Sequence, residues 1–386
     1  MGSLSLFLVL EVVMFAARTI QLAAARPPTN ERPACEFFQV PKYRNEPGCA
    51  SLGCRSLDFV CDGRLVQVAM TLDLRYLRGT VAAIHSILKH ASCPKNIVFH
   101  FISLNNSDLS QNHCGFEPVL RATFPFLRFK VYGFDQSRVN HLISPAVRPA
   151  LDSPLNYARN YLAEMLEPCI DRVIYLDSDV IVVDDIRKLW AVRLSKLSII
   201  GAPKYCHTDF NKYFTDEFWS DSGLSSVFKG KKPCYFNTGV MVMDLSRWRA
   251  GDYTRQMERW MAVQKERKIY ELGSLPPFLL VFGGNVTPID RRWNQHGLGG
   301  DNVSGSCRGL HPGPVSLLHW SGKLKPWIRL DSGEPCSVDR LWKPYDLYKH
   351  ARKEKPEEIH SLICTDIELF TTEATENTQT RDFFPP

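Results

Sequence analysis

Two short stretches of this 386-residue chain hold residue types that could grip a metal ion and a phosphate. The first is Asp177-Ser178-Asp179, directly after the apolar run RVIYL. Two carboxylates one residue apart at a strand end repel each other unless a cation lies between them. A straight strand would send them to opposite faces, whereas a turn would let both converge on one ion. Carboxylate oxygens suit magnesium or manganese, and such an ion would neutralise a diphosphate leaving group. The alternative is a solvated strand end with two ordinary acids. Asp184 and Asp185, a few residues on, read as a helix N-cap.

The second stretch is His319-Trp320-Ser321-Gly322-Lys323-Leu324-Lys325-Pro326-Trp327. A histidine at a strand end can ligate a metal through its neutral imidazole. Gly322 permits close backbone approach to a ligand, and Lys325 is a point charge suited to phosphate. Pro326 and Trp327 would stiffen and bury the loop. A lone histidine is usually structural. One followed at this spacing by a loop glycine and a lysine, in a chain with a strand-end DxD, is more specific.

These residues need elements to hold them. LVQVAMTLD from Leu65 reads as a buried strand, followed by a helix over Arg78–Lys89 with Val81, Ile84, Ile87 and Leu88 at helical spacing. NIVFHFISL from Asn96 and LRFKVYGF from Leu127 are further strands. A helix over Asn156–Leu166 precedes one long strand over Asp171–Val183. Strands alternating with helices predict βαβ units and a mainly parallel sheet, whose ligands bind beyond the carboxyl ends of the strands. In the second half, strands are expected at Ser198–Pro203, across CYFNTGVMVMDL with a kink at Asn237–Gly239, and at Ser316–Trp320. From Arg352 the chain turns polar and reads as a flexible tail.

Apolar residues make up 44% and charged residues 23%, enough for a proper core. The net charge of +6 suits an acidic small molecule or polymer, but no basic run or motif points to nucleic acid. Twelve cysteines are many for a cytosolic enzyme and do not form CxxC pairs. Cys35, Cys49, Cys54 and Cys61 cluster in a Pro- and Gly-containing segment that reads as a disulfide-stapled stem or cap; free buried thiols are the alternative. Leu4–Ala17 is apolar apart from Ser5 and Glu11, short for a membrane span, and followed by the small residues Ala23-Ala24-Ala25, as at a signal-peptide cleavage site. Asn105, Asn285 and Asn302 lie in glycosylation sequons. Together these features point to a luminal protein.

LDSD after an apolar strand, FNTGVMVMD, and HWSGKLKPW (the form HxxGxxKPW) resemble, in order and spacing across roughly residues 65–350, the retaining family-8 glycosyltransferases of GT-A fold. The Cys-rich stem, NYARNYLAEML and GSLPPFLLVFGGN are similar to the plant galacturonosyltransferase-like proteins. The resemblance implies an α/β fold with a mainly parallel central sheet flanked by helices. It implies manganese on Asp177, Asp179 and His319, with Gly322 and Lys325 on the diphosphate of a UDP-sugar. Thr71, Leu72, Asp73 and Ser178 would bind UDP, with Tyr76 stacked on the uracil. Arg159, Asn237 and Gly239 would line the donor sugar. It further implies a type II Golgi membrane protein, with 1–25 as signal-anchor or cleaved signal peptide, 26–64 as luminal stem, 65–350 as catalytic domain and 351–386 as tail.

One departure from the family stands out. Where many members carry an Asp-Gln pair near the donor sugar, this chain reads Ser274-Leu275. Neither residue replaces a carboxylate and an amide, so no base or nucleophile is assigned. Same-face transfer, with the diphosphate helping to deprotonate the acceptor, fits that loss. The leading expectation is transfer of a sugar, galacturonate by resemblance, from UDP to an acidic cell-wall polysaccharide such as pectin. The competing one is a non-catalytic relative that binds polysaccharide or a sister glycosyltransferase in a complex. A uronic acid donor would need a cation for its carboxylate; Arg75, Arg159, Arg291 and Arg292 are the candidates.

Overall fold

Three apolar runs of the first half are buried almost end to end, as strands inside a parallel sheet must be. The computed structural model of the protein describes residues 36–50, 59–104, 115–147, 151–300, 307–322 and 324–349. Strands β1 (Val66–Thr71), β2 (Ile97–Leu104), β3 (Arg128–Phe134) and β4 (Arg172–Leu176) pair in parallel in the order β3-β2-β1-β4. Helix α1 (Leu77–His90) carries the chain from β1 towards β2. The short β5 (Val180–Val182) follows the Asp177–Asp179 turn.

Beyond β4 the direction changes. Strands β6 (Ile200–Tyr205), β7 (Tyr235–Phe236), β8 (Val240–Asp244) and β9 (Thr287–Ile289) complete an eight-stranded sheet. Within it β8 runs antiparallel between β4 and β6, β7 is antiparallel to β6, and β9 is parallel to it. The sheet is thus mixed and mostly parallel. Two small ribbons complete the described strands: β10 (Gly299–Gly300) with β11 (Cys307–Arg308), and β12 (Leu317–His319) with β5. The second ribbon sets His319 opposite Val180, the residue after the DxD.

Two expected elements differ. The segment over Asn156–Leu166 is not one α-helix but a 3-10 helix over Pro154–Tyr161, then a short α-helix over Leu162–Met165. Tyr157 through Tyr161 are all buried, so packing on several sides overrides the local helical pattern. The strand read as continuous over Asp171–Val183 is broken at the turn. Asp185 does N-cap the helix over Ile186–Trp190, accepting from the Arg187 amide.

All eight described cysteines are paired: Cys49–Cys93, Cys61–Cys169, Cys206–Cys234 and Cys307–Cys336. Cys49 and Cys61 are not stapled to one another within a stem. They fasten its described part to the sheet domain, where Val40 also donates to the Thr123 carbonyl. Asn285 is exposed. The N-terminal apolar segment, Cys35, Cys54, Asn105, Asn302 and the 351–386 tail lie outside the described residues. Among the described residues no helix is long and apolar enough to cross a membrane.

Candidate active site

The DxD turn sits where β4 ends, and three neighbours shape it. The Asp177 amide donates to the Gly239 carbonyl (2.8 Å), extending the β4–β8 ladder by one rung. The Ser178 hydroxyl donates to the Thr71 carbonyl at the end of β1 (2.8 Å). The Trp320 amide donates to the Asp179 carbonyl (2.9 Å), joining the turn to the strand that carries His319. Ligand atoms of Asp177, Asp179 and His319 consequently lie within 4.8 Å of one another. Sequence position separates them by about 140 residues; the sheet brings them together.

Burial grades across the group. Side-chain exposure is 27% for Asp177, 8% for Asp179 and 1% for His319. His319 Nδ1 lies 2.9 Å from Asn294 Oδ1, so its N–H donates there and Nε2 keeps a lone pair. That lone pair faces Asp179 Oδ1 at 3.2 Å and Asp177 Oδ2 at 3.8 Å. A hydrogen bond from Nε2 to Asp179 would need the proton already given to Asn294. Asp179 Oδ1 is accordingly buried without a hydrogen-bond partner. Burial alone would raise the Asp179 carboxyl, but the Lys325 ammonium bonded to it outweighs that and holds it below the usual carboxylate range. A buried orphan oxygen, an inward lone pair and a second carboxylate are the donor set of a divalent metal, and these residues fit one.

Asp177 is held from its other side. Tyr175, two residues earlier and so on the same face of β4, donates to Asp177 Oδ1 (3.0 Å). Arg159 Nη1 lies 3.3 Å from that oxygen and also donates to the Thr238 carbonyl (3.0 Å). Two glycines make room. A Cβ on Gly239 would stand 2.4 Å from Asp177 Oδ2 and 2.5 Å from His319 Cε1. A Cβ on Gly79 would meet the Ser178 carbonyl and the Trp327 ring, each at 2.6 Å, so only glycine lets α1 seat both the turn and that ring.

The loop after His319 is built around a buried pair. Arg329 grips Asp339 through two 2.6 Å bonds, and Trp320 Nε1 donates to the same carboxylate (2.9 Å). Lys325 is buried and its ammonium donates to Asp179 Oδ2 (2.6 Å), Trp320 O (2.8 Å) and Gly322 O (2.9 Å). Its charge therefore sits beside the candidate metal ligands.

A cavity of about 840 Å³ opens from this group. Arg159, Asp177, Asn237, Gly239, His319 and Gly322 line it, as do Ser274 and Leu275. Thr71, Leu72, Asp73, Tyr76, Ser178 and Lys325 do not line it and lie around the turn instead. Leu72 is buried with its amide on the Ile102 carbonyl, Asp73 accepts from the Tyr76 amide, and Tyr76 packs edge-on against Trp327 at 5.8 Å. Of the arginines considered for a sugar carboxylate, Arg292 is engaged by Ser316 and Asp184, and Arg75 does not line the cavity. Arg291 does line it, over the Tyr205 ring. Asn294 and Tyr175 escaped the sequence reading. For Tyr175 the two-residue strand period was a usable signal. For Asn294 there was none, because its place beside His319 comes from the Gln295–Leu318 bridge.

The structural relatives share this fold. The galactosyltransferase LgtC, solved in complex with donor and acceptor sugar analogues, superposes with a TM-score of 0.54 at 21% identity, covering 76% of this chain and 98% of that one. An active-site mutant of LgtC gives 0.53 at 20% identity, over 76% and 98%. Both are GT-A glycosyltransferases. In sequence the chain is 58% identical over 349 residues to "Probable galacturonosyltransferase-like 10" of Arabidopsis thaliana, covering 90% of this chain and 94% of that protein. It is 61% identical over 316 residues to "Probable galacturonosyltransferase-like 9" of the same plant, covering 81% and 80%. Residues 67–331 match the family described as Glycosyl transferase family 8, and the chain, a glycosyltransferase, belongs to that family.

Proposed function

We propose that the protein transfers galacturonate from UDP-galacturonate to an acidic cell-wall polysaccharide such as pectin, with retention of configuration. The observation that carries the reading is the convergence of Asp177, Asp179 and His319 at the head of one large cavity. The names of the plant relatives support galacturonate as the donor sugar. Asp177, Asp179 and His319 would hold manganese, with Arg159 and Tyr175 fixing the first ligand and Asn294 the third. When bound, the ion supplies charge neutralisation for the departing diphosphate.

Lys325 and Gly322 are the proposed diphosphate contacts, because the buried ammonium already sits beside Asp179 and on the Gly322 carbonyl. Thr71, Leu72, Asp73, Tyr76 and Ser178 are the proposed nucleoside edge; Leu72 can contribute only backbone, since its side chain is buried. Arg159, Asn237 and Gly239 would line the sugar. Ser274 and Leu275 put no carboxylate on their wall of the cavity. In this reading the acceptor hydroxyl therefore attacks from the face the diphosphate leaves, and its proton goes to the diphosphate. The chain works in the Golgi lumen as a type II membrane protein held by its N-terminal segment; four disulfides among the described residues support an oxidising compartment.

The test is a screen of radiolabelled UDP-sugars against pectin and xylan oligosaccharides with added manganese. Incorporation from UDP-galacturonate into pectic acceptors, abolished by Asp177→Ala, is expected. Preference for UDP-galactose, or turnover unaffected by chelation, would remove the reading.

A further inference from the structure

His319 has a neighbour in register that the metal group leaves unused. Gln295 pairs in parallel with Leu318, its amide donating to the Leu317 carbonyl (2.9 Å) and its carbonyl accepting from the His319 amide (3.0 Å). One residue on, His296 stands beside His319, as neighbouring strands lie about 4.8 Å apart. Alternation turns Leu318 into the core and both histidines to the cavity, which each of them lines. Two further bonds fix the segment. The Gly297 amide donates to the Ser321 hydroxyl (2.9 Å), and the Leu298 amide to the His319 carbonyl (3.3 Å). His296 therefore belongs to the side of the cavity formed by His319, Ser321 and Gly322.

The His296 ring is held by packing and left open in its hydrogen bonding. It stands edge-on to the Tyr205 ring, 4.5 Å between centres at 82°, and its own carbonyl lies 2.8 Å from His311 Nε2. Among the described residues neither ring nitrogen of His296 takes part in a hydrogen bond, whereas His319 Nδ1 is committed to Asn294. An imidazole in its neutral form offers one N–H donor and one lone pair, so it can bond a sugar hydroxyl in either sense.

We propose that His296 holds the acceptor sugar by the hydroxyl next to the attacking one. The proposal rests on the same-face reading of this cavity and deepens it. That reading puts the acceptor on the face the diphosphate leaves, and the proposed diphosphate contacts Gly322 and Lys325 follow His319 on the segment bonded to that of His296. The attacking hydroxyl has a single proton. It passes to a diphosphate oxygen while the hydroxyl oxygen bonds to the anomeric carbon and the bond from that carbon to the diphosphate breaks. The group that orients the sugar must leave that proton alone, and His296 does so by bonding the adjacent hydroxyl with no change in its own protonation.

The test compares wild type with His296→Phe, which keeps a ring against Tyr205, and His296→Gln, which restores a donor and an acceptor. Calorimetry of an α-1,4-linked oligogalacturonide against the full chain, with UDP and manganese present, should show roughly tenfold weaker binding to His296→Phe and an intermediate value for His296→Gln. Affinity for UDP with manganese should stay within about twofold of wild type, and melting curves check that both variants fold. With UDP-galacturonate as donor, the ratio of transfer to the oligomer over hydrolysis by water should fall about tenfold or more in His296→Phe. Wild-type binding of the oligomer by His296→Phe, or an unchanged ratio, would overturn the proposal. So would a matching loss of UDP affinity, which would put His296 on the diphosphate. A wild type that turns over no UDP-sugar removes the proposed function, and the calorimetric comparison still decides for or against His296. A wild type that binds no oligomer removes the acceptor contact.

Discussion

Gly239→Ala is the most informative single change, because it adds one methyl group at a measured place. The new Cβ would stand 2.4 Å from Asp177 Oδ2 and 2.5 Å from His319 Cε1, where ordinary contact begins at 3.4 Å. Something must retreat by about 1 Å to restore that contact. His319 cannot, being 1% exposed and hydrogen-bonded to Asn294. Asp177, at 27% exposed, is the side chain that yields. Metal–ligand distances tolerate only about ±0.2 Å, so the yielding carboxylate leaves the ligand triangle. Disturbing a ligand in this way typically lowers metal affinity about 10- to 100-fold, or about 1.4–2.8 kcal/mol. The backbone bond from Asp177 to Gly239 survives, so the fold should hold. Titrating manganese into the variant with UDP present, beside a melting curve, measures both quantities. An alanine variant with wild-type melting and manganese affinity within twofold of wild type would refute the placement of the metal.

Three other changes probe the neighbours. Asn294→Ala removes the acceptor that fixes the His319 tautomer, and a fall of about tenfold or more in manganese affinity is expected by the same titration. Arg159→Leu should weaken UDP binding, because Arg159 pairs with Asp177 and the Thr238 carbonyl, and weaken UDP-galacturonate binding further, because Arg159 also lines the proposed sugar site; calorimetry with both ligands checks this, and equal losses would remove the sugar contact. Asp339→Ala strands the buried Arg329 charge and deprives Trp320 and the Cys336 amide of their acceptor. Urea denaturation should show a loss of about 3–5 kcal/mol, and a loss under 1 kcal/mol would contradict the buried-pair account.

The candidate metal ligands were legible because each sits at a strand end in a short, chemically specific string, whereas the break at Asp177–Asp179 was not, because the apolar runs on either side read as one strand. Strand direction was not legible. VMVMD of β8 is a continuous apolar run that reads the same in either sense, so its antiparallel place between β4 and β6 gave no periodic signal. The Pro154–Tyr161 segment hid its 3-10 geometry for a related reason: with Tyr157 through Tyr161 all buried, no polar face shows which period the backbone follows.

The long-range cross-links have a consequence for how the chain is made. Cys61 finds its partner 108 residues later, and Cys49 finds Cys93 after two other cysteines have passed. During synthesis Cys49, Cys54 and Cys61 emerge before either native partner exists. Closing a short loop costs less chain entropy than closing a long one, so the first bonds formed are expected among these three and are not the native ones. The finished pattern then needs thiol–disulfide exchange, which without a catalyst takes minutes to hours. Refolding of the reduced chain should therefore be limited by bond reshuffling and accelerated by a disulfide isomerase. Production in a host lacking such an enzyme should trap scrambled forms whose sheet strands are intact but whose N-terminal segment is tied to itself.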